Sequence, residues 1–92
     1  MDKYVGNKHA MIIDVRDKTE FNEMHITDAV NIPIEKLEAM YDKMPKDFIY
    51  VLYCNGGGTG ILAAKELFDR GHITRALLGG INAYDGNYIE SE

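Results

Sequence analysis

Tyr50-Val51-Leu52-Tyr53-Cys54-Asn55-Gly56-Gly57-Gly58-Thr59-Gly60-Ile61-Leu62 is the stretch that decides how this chain is read. An apolar, β-rich run from Phe48 to Tyr53 leads into the only cysteine, then a glycine-dense loop, then a helix start. Gly56, Gly57 and Gly58 put no side chains on the loop, so its backbone is free to curl and aim N–H groups inward. The first turn of the helix adds unpaired N–H groups and the positive end of its dipole. A sulfur anion on Cys54 would sit in that cradle, which makes Cys54 a candidate nucleophile.

Moving outward, the flanking segments alternate between strand and helix patterns. Met11-Ile12-Ile13-Asp14-Val15 is a short apolar run of the kind a buried parallel strand makes. Asp17 with Glu20 resembles a capping box that opens a short helix, with Phe21 and Met24 expected to face inward. Asp28 to Pro33 reads as a brief strand stopped by proline. Ile34, Leu37, Met40 and Tyr41 recur at helical spacing until Lys43-Met44-Pro45-Lys46-Asp47 breaks the pattern. Beyond the glycine loop, Ile61, Ala64, Leu67 and Phe68 are expected to line the buried face of a helix that Gly71 ends. Arg75 to Leu78 is a further strand, Gly79-Gly80 closes it, and Ile81 to Tyr88 is expected to form a weak last helix. Met1 to Ala10 is polar and is expected to be an arm or a short edge element. The alternation predicts one α/β domain over residues 1–92, with a mostly parallel sheet flanked by helices on both faces. Cys54 then falls at the carboxyl end of a strand, where open α/β sheets place their sites.

Composition excludes several function classes. The formal net charge is −5 and the basic residues are scattered, so neither nucleic acid nor an anionic membrane is an expected partner. No apolar run reaches the ~20 residues of a membrane span, and no charged-then-apolar leader opens the sequence. A single cysteine forms no internal disulfide, which makes the reducing cytoplasm the expected compartment. His9, His25 and His72 show no ligand spacing with one another or with Cys54, so no metal site and no cofactor are expected.

Glycine-rich turns between strand and helix serve several chemistries, and spacing separates them. A dinucleotide fingerprint beginning at Gly56 would need glycine at Ile61, and a phosphate-binding P-loop would need lysine near Gly58-Thr59-Gly60. Cysteine-dependent phosphatases place arginine six positions after the cysteine, where this chain has Gly60. Without that bidentate cation a phosphate dianion would be poorly held.

The remaining match is to a family. Ile12-Ile13-Asp14-Val15-Arg16-Asp17, followed by Glu20-Phe21, resembles the Leu-Ile-Asp-Val-Arg-Glu opening of the rhodanese (sulfurtransferase) family. His25-Ile26-Thr27-Asp28-Ala29-Val30-Asn31-Ile32-Pro33 resembles its Gly-His-Ile-Pro-Gly-Ala-Ile-Asn-Ile-Pro segment. Tyr53-Cys54 enters the active-site loop, and Leu78-Gly79-Gly80-Ile81-Asn82-Ala83-Tyr84 resembles the closing Leu-Glu-Gly-Gly-x-x-x-Trp signature. The resemblance implies a persulfide mechanism. Cys54 would take a sulfane sulfur from a small-molecule or protein donor and pass it to a thiol or cyanide acceptor. The backbone of Asn55, Gly56, Gly57, Gly58, Thr59 and Gly60 would hold the anionic outer sulfur. A protein sulfur-relay partner is compatible with this, and so is the alternative of a non-catalytic binding or regulatory module on the same fold.

Departures from the family pattern narrow the expectation. Thiosulfate-using members carry arginine five positions after the cysteine and serine or threonine next; here these are Thr59 and Gly60. Threonine there resembles the Cys-Gly-Ser-Gly-Val-Thr loop of the mercaptopyruvate sulfurtransferase branch, so weak or absent thiosulfate activity is expected. Met24 and Asp28 stand where the family has glycine, and Tyr84 where it has tryptophan. The stretch before Met11 is shorter than the family's, so the N-terminal edge of the sheet is expected to be shortened. Asp14 and Arg16 are read as structural, with Glu20 a partner of Arg16. His25 is read as a turn residue and the six tyrosines as packing.

Overall fold

A computed structural model describes residues 1–91. The elements in chain order are β1 (Ala10–Asp14), α1 (Lys18–Glu23), β2 (His25–Ile26), β3 (Val30–Asn31), α2 (Ile34–Met40), β4 (Ile49–Tyr53), α3 (Gly58–Asp69), β5 (Ile73–Ala76) and β6 (Ile89–Glu90). Single 3-10 turns occupy Asp2–Tyr4, Tyr41–Lys43 and Ile81–Ala83. Four strands form one parallel sheet in the order β3-β1-β4-β5, and β2 pairs antiparallel with β6 in a separate ribbon. Ile12 pairs with Val51 and Asp14 with Tyr53, so the first strand and the cysteine-bearing strand end level.

The two interior strands separate their side chains by the strand period of two. Ile13, Tyr50, Leu52 and Cys54 face a core completed by Leu37 and Tyr41 and by Ala63, Ala64 and Leu67 of α3. Ile12, Val51 and Tyr53 face the opposite side, where Ile26 and Ile81 are buried and Met1, Tyr4 and Val5 pack against them. The long helices α2 and α3 thus cover one face. On the other, the covering helices are the 3-10 turns at Asp2–Tyr4 and Ile81–Ala83. No strand precedes β1 among the described residues, and the arm instead lies over the second core.

Helix ends follow the sequence signals. The Asp17 side chain accepts from the Glu20 N–H at 2.9 Å and caps α1. At the end of α3 the His72 N–H reaches the Leu67 carbonyl and the Gly71 N–H reaches Phe68, with Gly71 at φ +93°. That is a Schellman motif, in which glycine is the residue that adopts the left-handed conformation without strain.

Three expectations are corrected. Met24 is 39% exposed, because the chain leaves α1 at that residue in extended conformation and His25 takes the buried position. On α3 the buried face is Gly60, Ala63, Ala64 and Leu67, whereas Ile61 and Phe68 are 44% and 66% exposed. At its start the helix packs so closely on β4 that Gly60, Ala63 and Ala64 mark the contact, with Leu67 buried a turn further on. The segment from Ile81 holds only one 3-10 turn, and its end pairs as β6 with β2. Gly86 and the Tyr84 ring, whose hydroxyl accepts from the Tyr88 N–H at 3.2 Å, organise that segment as a loop.

Candidate active site

Cys54 follows the last residue of β4 and is 9% exposed at the bottom of a shallow cleft. Its Sγ accepts the Gly57 N–H at 3.1 Å and the Gly60 N–H at 3.4 Å. The loop therefore curls back over its own cysteine, and Gly57, at φ +109°, makes the turn that starts α3. Among the described residues the N–H groups of Asn55, Gly56, Gly58 and Thr59 have no hydrogen-bond partner. The first turn of α3 carries no acidic residue, so the positive end of its dipole faces the cleft uncompensated. Of the expected cradle, Gly57 and Gly60 hold Sγ itself, and the other four backbone donors stand free.

Three other segments fix the loop. The Ile81 N–H donates to the Cys54 carbonyl at 2.9 Å and the Asn82 N–H to the Asn55 carbonyl at 3.0 Å. Gly80, at φ +62°, lies against those same carbonyls, where a β-carbon would collide with the Asn55 oxygen. Gly57 likewise leaves space for the backbone of Gly79, whose nitrogen would stand 3.1 Å from a β-carbon there. The Val15 N–H donates to the Tyr53 carbonyl at 3.0 Å, and the Ile34 N–H to the Val15 carbonyl at 3.1 Å. The opening and closing segments of the family resemblance thus converge on the Cys54 loop.

Asp14 and Arg16 form the rigid floor beside it. Asp14 is fully buried, and its carboxylate accepts the Arg16 N–H at 2.9 Å, Nε at 3.0 Å and Nη2 at 2.8 Å. Arg16 Nη2 also donates to the Met24 carbonyl at 2.5 Å, and Nη1 to Asn55 Oδ1 at 3.2 Å. Burial works against the Arg16 charge, but the hydrogen bonds and field of Asp14 prevail and raise its pKa. Glu20 is not a direct partner of Arg16 as expected: its carboxylate accepts Asn55 Nδ2 at 2.6 Å. Asn55 is thereby the hinge between Glu20 and Arg16. The sequence marks it only by its place after the cysteine.

On the opposite face of the sheet, the Tyr53 hydroxyl accepts the Ile26 N–H at 3.0 Å. Burial keeps that phenol protonated far above its ordinary range. His25 stacks on Phe21 with ring centroids 3.8 Å apart, and its Nδ1 lies 2.7 Å from the Phe21 carbonyl. The expected turn residue is thus a buried strand residue, paired in β2 with Glu90 of β6, and it does not line the Cys54 cleft. Asp28, where the family has glycine, adopts φ +72° and accepts the Gly6 N–H at 2.7 Å. Aspartate is one of the few residues that tolerate that conformation. Met24 at φ −166° is extended and needs no glycine.

The cleft has a volume of about 280 Å³. Asp17, Glu20, Glu35 and Thr59 line it together with Cys54 and Arg16. Sequence reading did not place Asp17 and Glu35 here, because one caps α1 and the other opens α2, and only the fold brings those two helix starts to one mouth. Among the described residues no cluster of His, Cys, Asp and Glu converges as a metal ion would need, and no helix is long and apolar enough to cross a membrane.

Comparison with known proteins agrees with this arrangement. The rhodanese-like domain model matches residues 1–87. Thiosulfate sulfurtransferase GlpE of Coxiella burnetii is 27% identical over 89 residues, covering 96% of this chain and 83% of that protein. A tRNA sulfurtransferase of Pyrobaculum aerophilum is 34% identical over 58 residues, 63% of this chain, which spans only 12% of that longer protein. The crystal structure of a rhodanese-related protein from Thermoplasma volcanium superposes with a TM-score of 0.83 at 26% identity, covering 92% of this chain and 87% of that one. The chain belongs to the rhodanese-like domain family.

Proposed function

We propose that this domain is a sulfurtransferase or persulfide carrier that works through Cys54. The relatives named sulfurtransferases support sulfur transfer as the general function. The observation that carries the specific reading is the division of the loop's donors. Two N–H groups bond Sγ, and four more in the same loop and helix start, those of Asn55, Gly56, Gly58 and Thr59, have no partner among the described residues. That arrangement stabilises a thiolate first and then the anionic outer sulfur of a persulfide.

In the first step the Cys54 thiolate attacks the sulfane sulfur of a donor R–S–SH. The Sγ–S bond forms and the donor S–S bond breaks with its electron pair leaving on RS⁻, so the product is a Cys54 persulfide and a thiol. In the second step a thiol or cyanide attacks the outer sulfur, and the Cys54 thiolate leaves. Asn55, Gly56, Gly58 and Thr59 supply backbone donors to the outer sulfur, while Gly57 and Gly60 hold the inner one. Arg16 is committed to Asp14, so no free guanidinium meets a dianion, and thiosulfate is a poor donor. A lone reactive thiol fits the reducing cytoplasm.

Steady-state thiocyanate formation with cyanide as acceptor tests this. A cysteamine persulfide donor should give ping-pong kinetics that vanish in Cys54→Ser, with glutathione persulfide as a second donor of the same S–S chemistry. A folded, reduced wild type that turns over no donor would point to the binding-module alternative.

A further inference from the structure

We infer that the molecule exchanging sulfur with Cys54 carries a positive charge beside its sulfur. This rests on the reading of Cys54 as the sulfur carrier and names the substrate class that its cleft selects. The cleft is two-signed along its depth. At the bottom, the donors of the loop favour an anionic sulfur. Three carboxylates line the cleft as well: Asp17 and Glu35, both exposed at the mouth, and Glu20, half-buried with its carboxylate on Asn55 Nδ2. Among the described residues lining the cleft, Arg16 is the one cation, and its guanidinium lies 2.8 Å from the fully buried carboxylate of Asp14. The pair is neutral as a unit, so the cleft keeps the charge of its three acids.

The neighbourhood extends that field. An adjoining depression shares Arg16, Glu20 and Asn55 with the cleft and adds Glu23. On the other side a groove shares Thr59 and adds Glu38 and Glu66, while its Arg70 is paired with Glu66 and Asp42. A third depression shares Pro33 with the cleft and carries Lys18 and Lys36, so the field turns positive on that side, but neither lysine lines the cleft itself. A cleft lined by one sign of charge raises the local concentration of the opposite sign and repels its own. A substrate fits when its sulfur points inward to the loop and its cation outward to the acids. A small aminothiol persulfide has this chemistry, and so does a protein cysteine flanked by lysine or arginine.

Charge-tagged methanethiosulfonates test the mouth directly. The Cys54 thiolate attacks the sulfenyl sulfur, a disulfide forms, and methanesulfinate leaves with the electron pair. The reaction needs only a reachable thiol, so it reads the mouth whether or not the protein transfers sulfur. With rates normalised to a free neutral thiol, the trimethylammonioethyl reagent should label Cys54 about tenfold faster than the sulfonatoethyl reagent at low salt. The gap should shrink to roughly threefold or less in about 0.5 M salt, where charges a few ångströms apart are screened. It should shrink likewise in the Asp17→Asn/Glu35→Gln double variant. Asparagine still caps α1, and Glu35 is exposed, so the variant should keep its fold. A normalised ratio of one or below, or one unmoved by salt and by the variant, overturns the inference. Persistent charge preference with no persulfide on any donor would sink only the sulfurtransferase reading.

A second arm uses thionitrobenzoate-activated cysteine peptides flanked by lysine or by glutamate. A preference larger than that of the small reagents assigns the charge to a polypeptide partner, and an equal one to a small molecule.

Discussion

Gly60 donates its backbone N–H to Cys54 Sγ at 3.4 Å, and it does so from a position with no room for a side chain. A β-carbon on Gly60 would stand 3.0 Å from Tyr53 Cα and 3.3 Å from the Cys54 nitrogen. The start of α3 is pressed against the end of β4, and this closeness brings the helix N–H groups to the sulfur. Gly60→Ala should push the helix outward and lengthen the bond to Sγ. The expected cost is about 1–3 kcal/mol of stability, read by urea unfolding. Persulfide formation should slow by roughly tenfold in single-turnover experiments. A variant of unchanged stability and rate would show that the helix start has no part in holding the sulfur.

Asn55 and Arg16 should separate in their effects. Asn55→Ala removes the link between Glu20 and Arg16 but leaves Arg16 on Asp14, so the loss should be about 1 kcal/mol, or roughly 4–8 °C in Tm. Arg16→Ala strands a buried carboxylate and should cost about 3–5 kcal/mol. Equal losses would contradict the assignment of Asp14 as the principal partner of Arg16.

The sequence made the centre of this fold legible because its signals there are local. An apolar strand, three glycines and a helix start must lie together. Asp17 caps α1 as its spacing announces, and Gly71 ends α3 as a glycine at that position should. What stayed hidden depends on distance across the sheet. Ile61 and Phe68 look like core residues by size, yet the close approach at Gly60 turns the helix so that Ala63 and Ala64 meet the strands. The pairing of Ile26 with Ile89 joins segments far apart in the chain through two residues each, which no local pattern reveals. Within the site, the cysteine and its loop could be read directly. The acidic mouth could not, since it exists only where the starts of α1 and α2 meet.

His72 gives the fold a pH dependence. Its Nδ1 is buried with no partner among the described residues, and its ring meets Tyr50 edge-on at 5.3 Å. Burial first, then Lys46 and Arg70, lower its pKa from the ordinary 6.5. The unfolded chain therefore takes up a proton near pH 6.5 that the folded chain resists, and acidification through that window favours unfolding. The urea midpoint should fall between about pH 7.5 and 5.5, and His72→Phe, which keeps the edge-on packing, should flatten that slope. Parallel slopes in the two proteins would refute a role for His72.

The central claim is that Cys54 carries sulfur, and intact-mass spectrometry tests it most directly. Reduced protein is mixed briefly with cysteamine persulfide, glutathione persulfide or thiosulfate, with Cys54→Ser alongside. The account predicts a gain of one sulfur atom on the wild type alone, with thiosulfate the slowest donor. No gain from any donor, on protein shown to be folded and reduced, or an equal gain on Cys54→Ser, would contradict it.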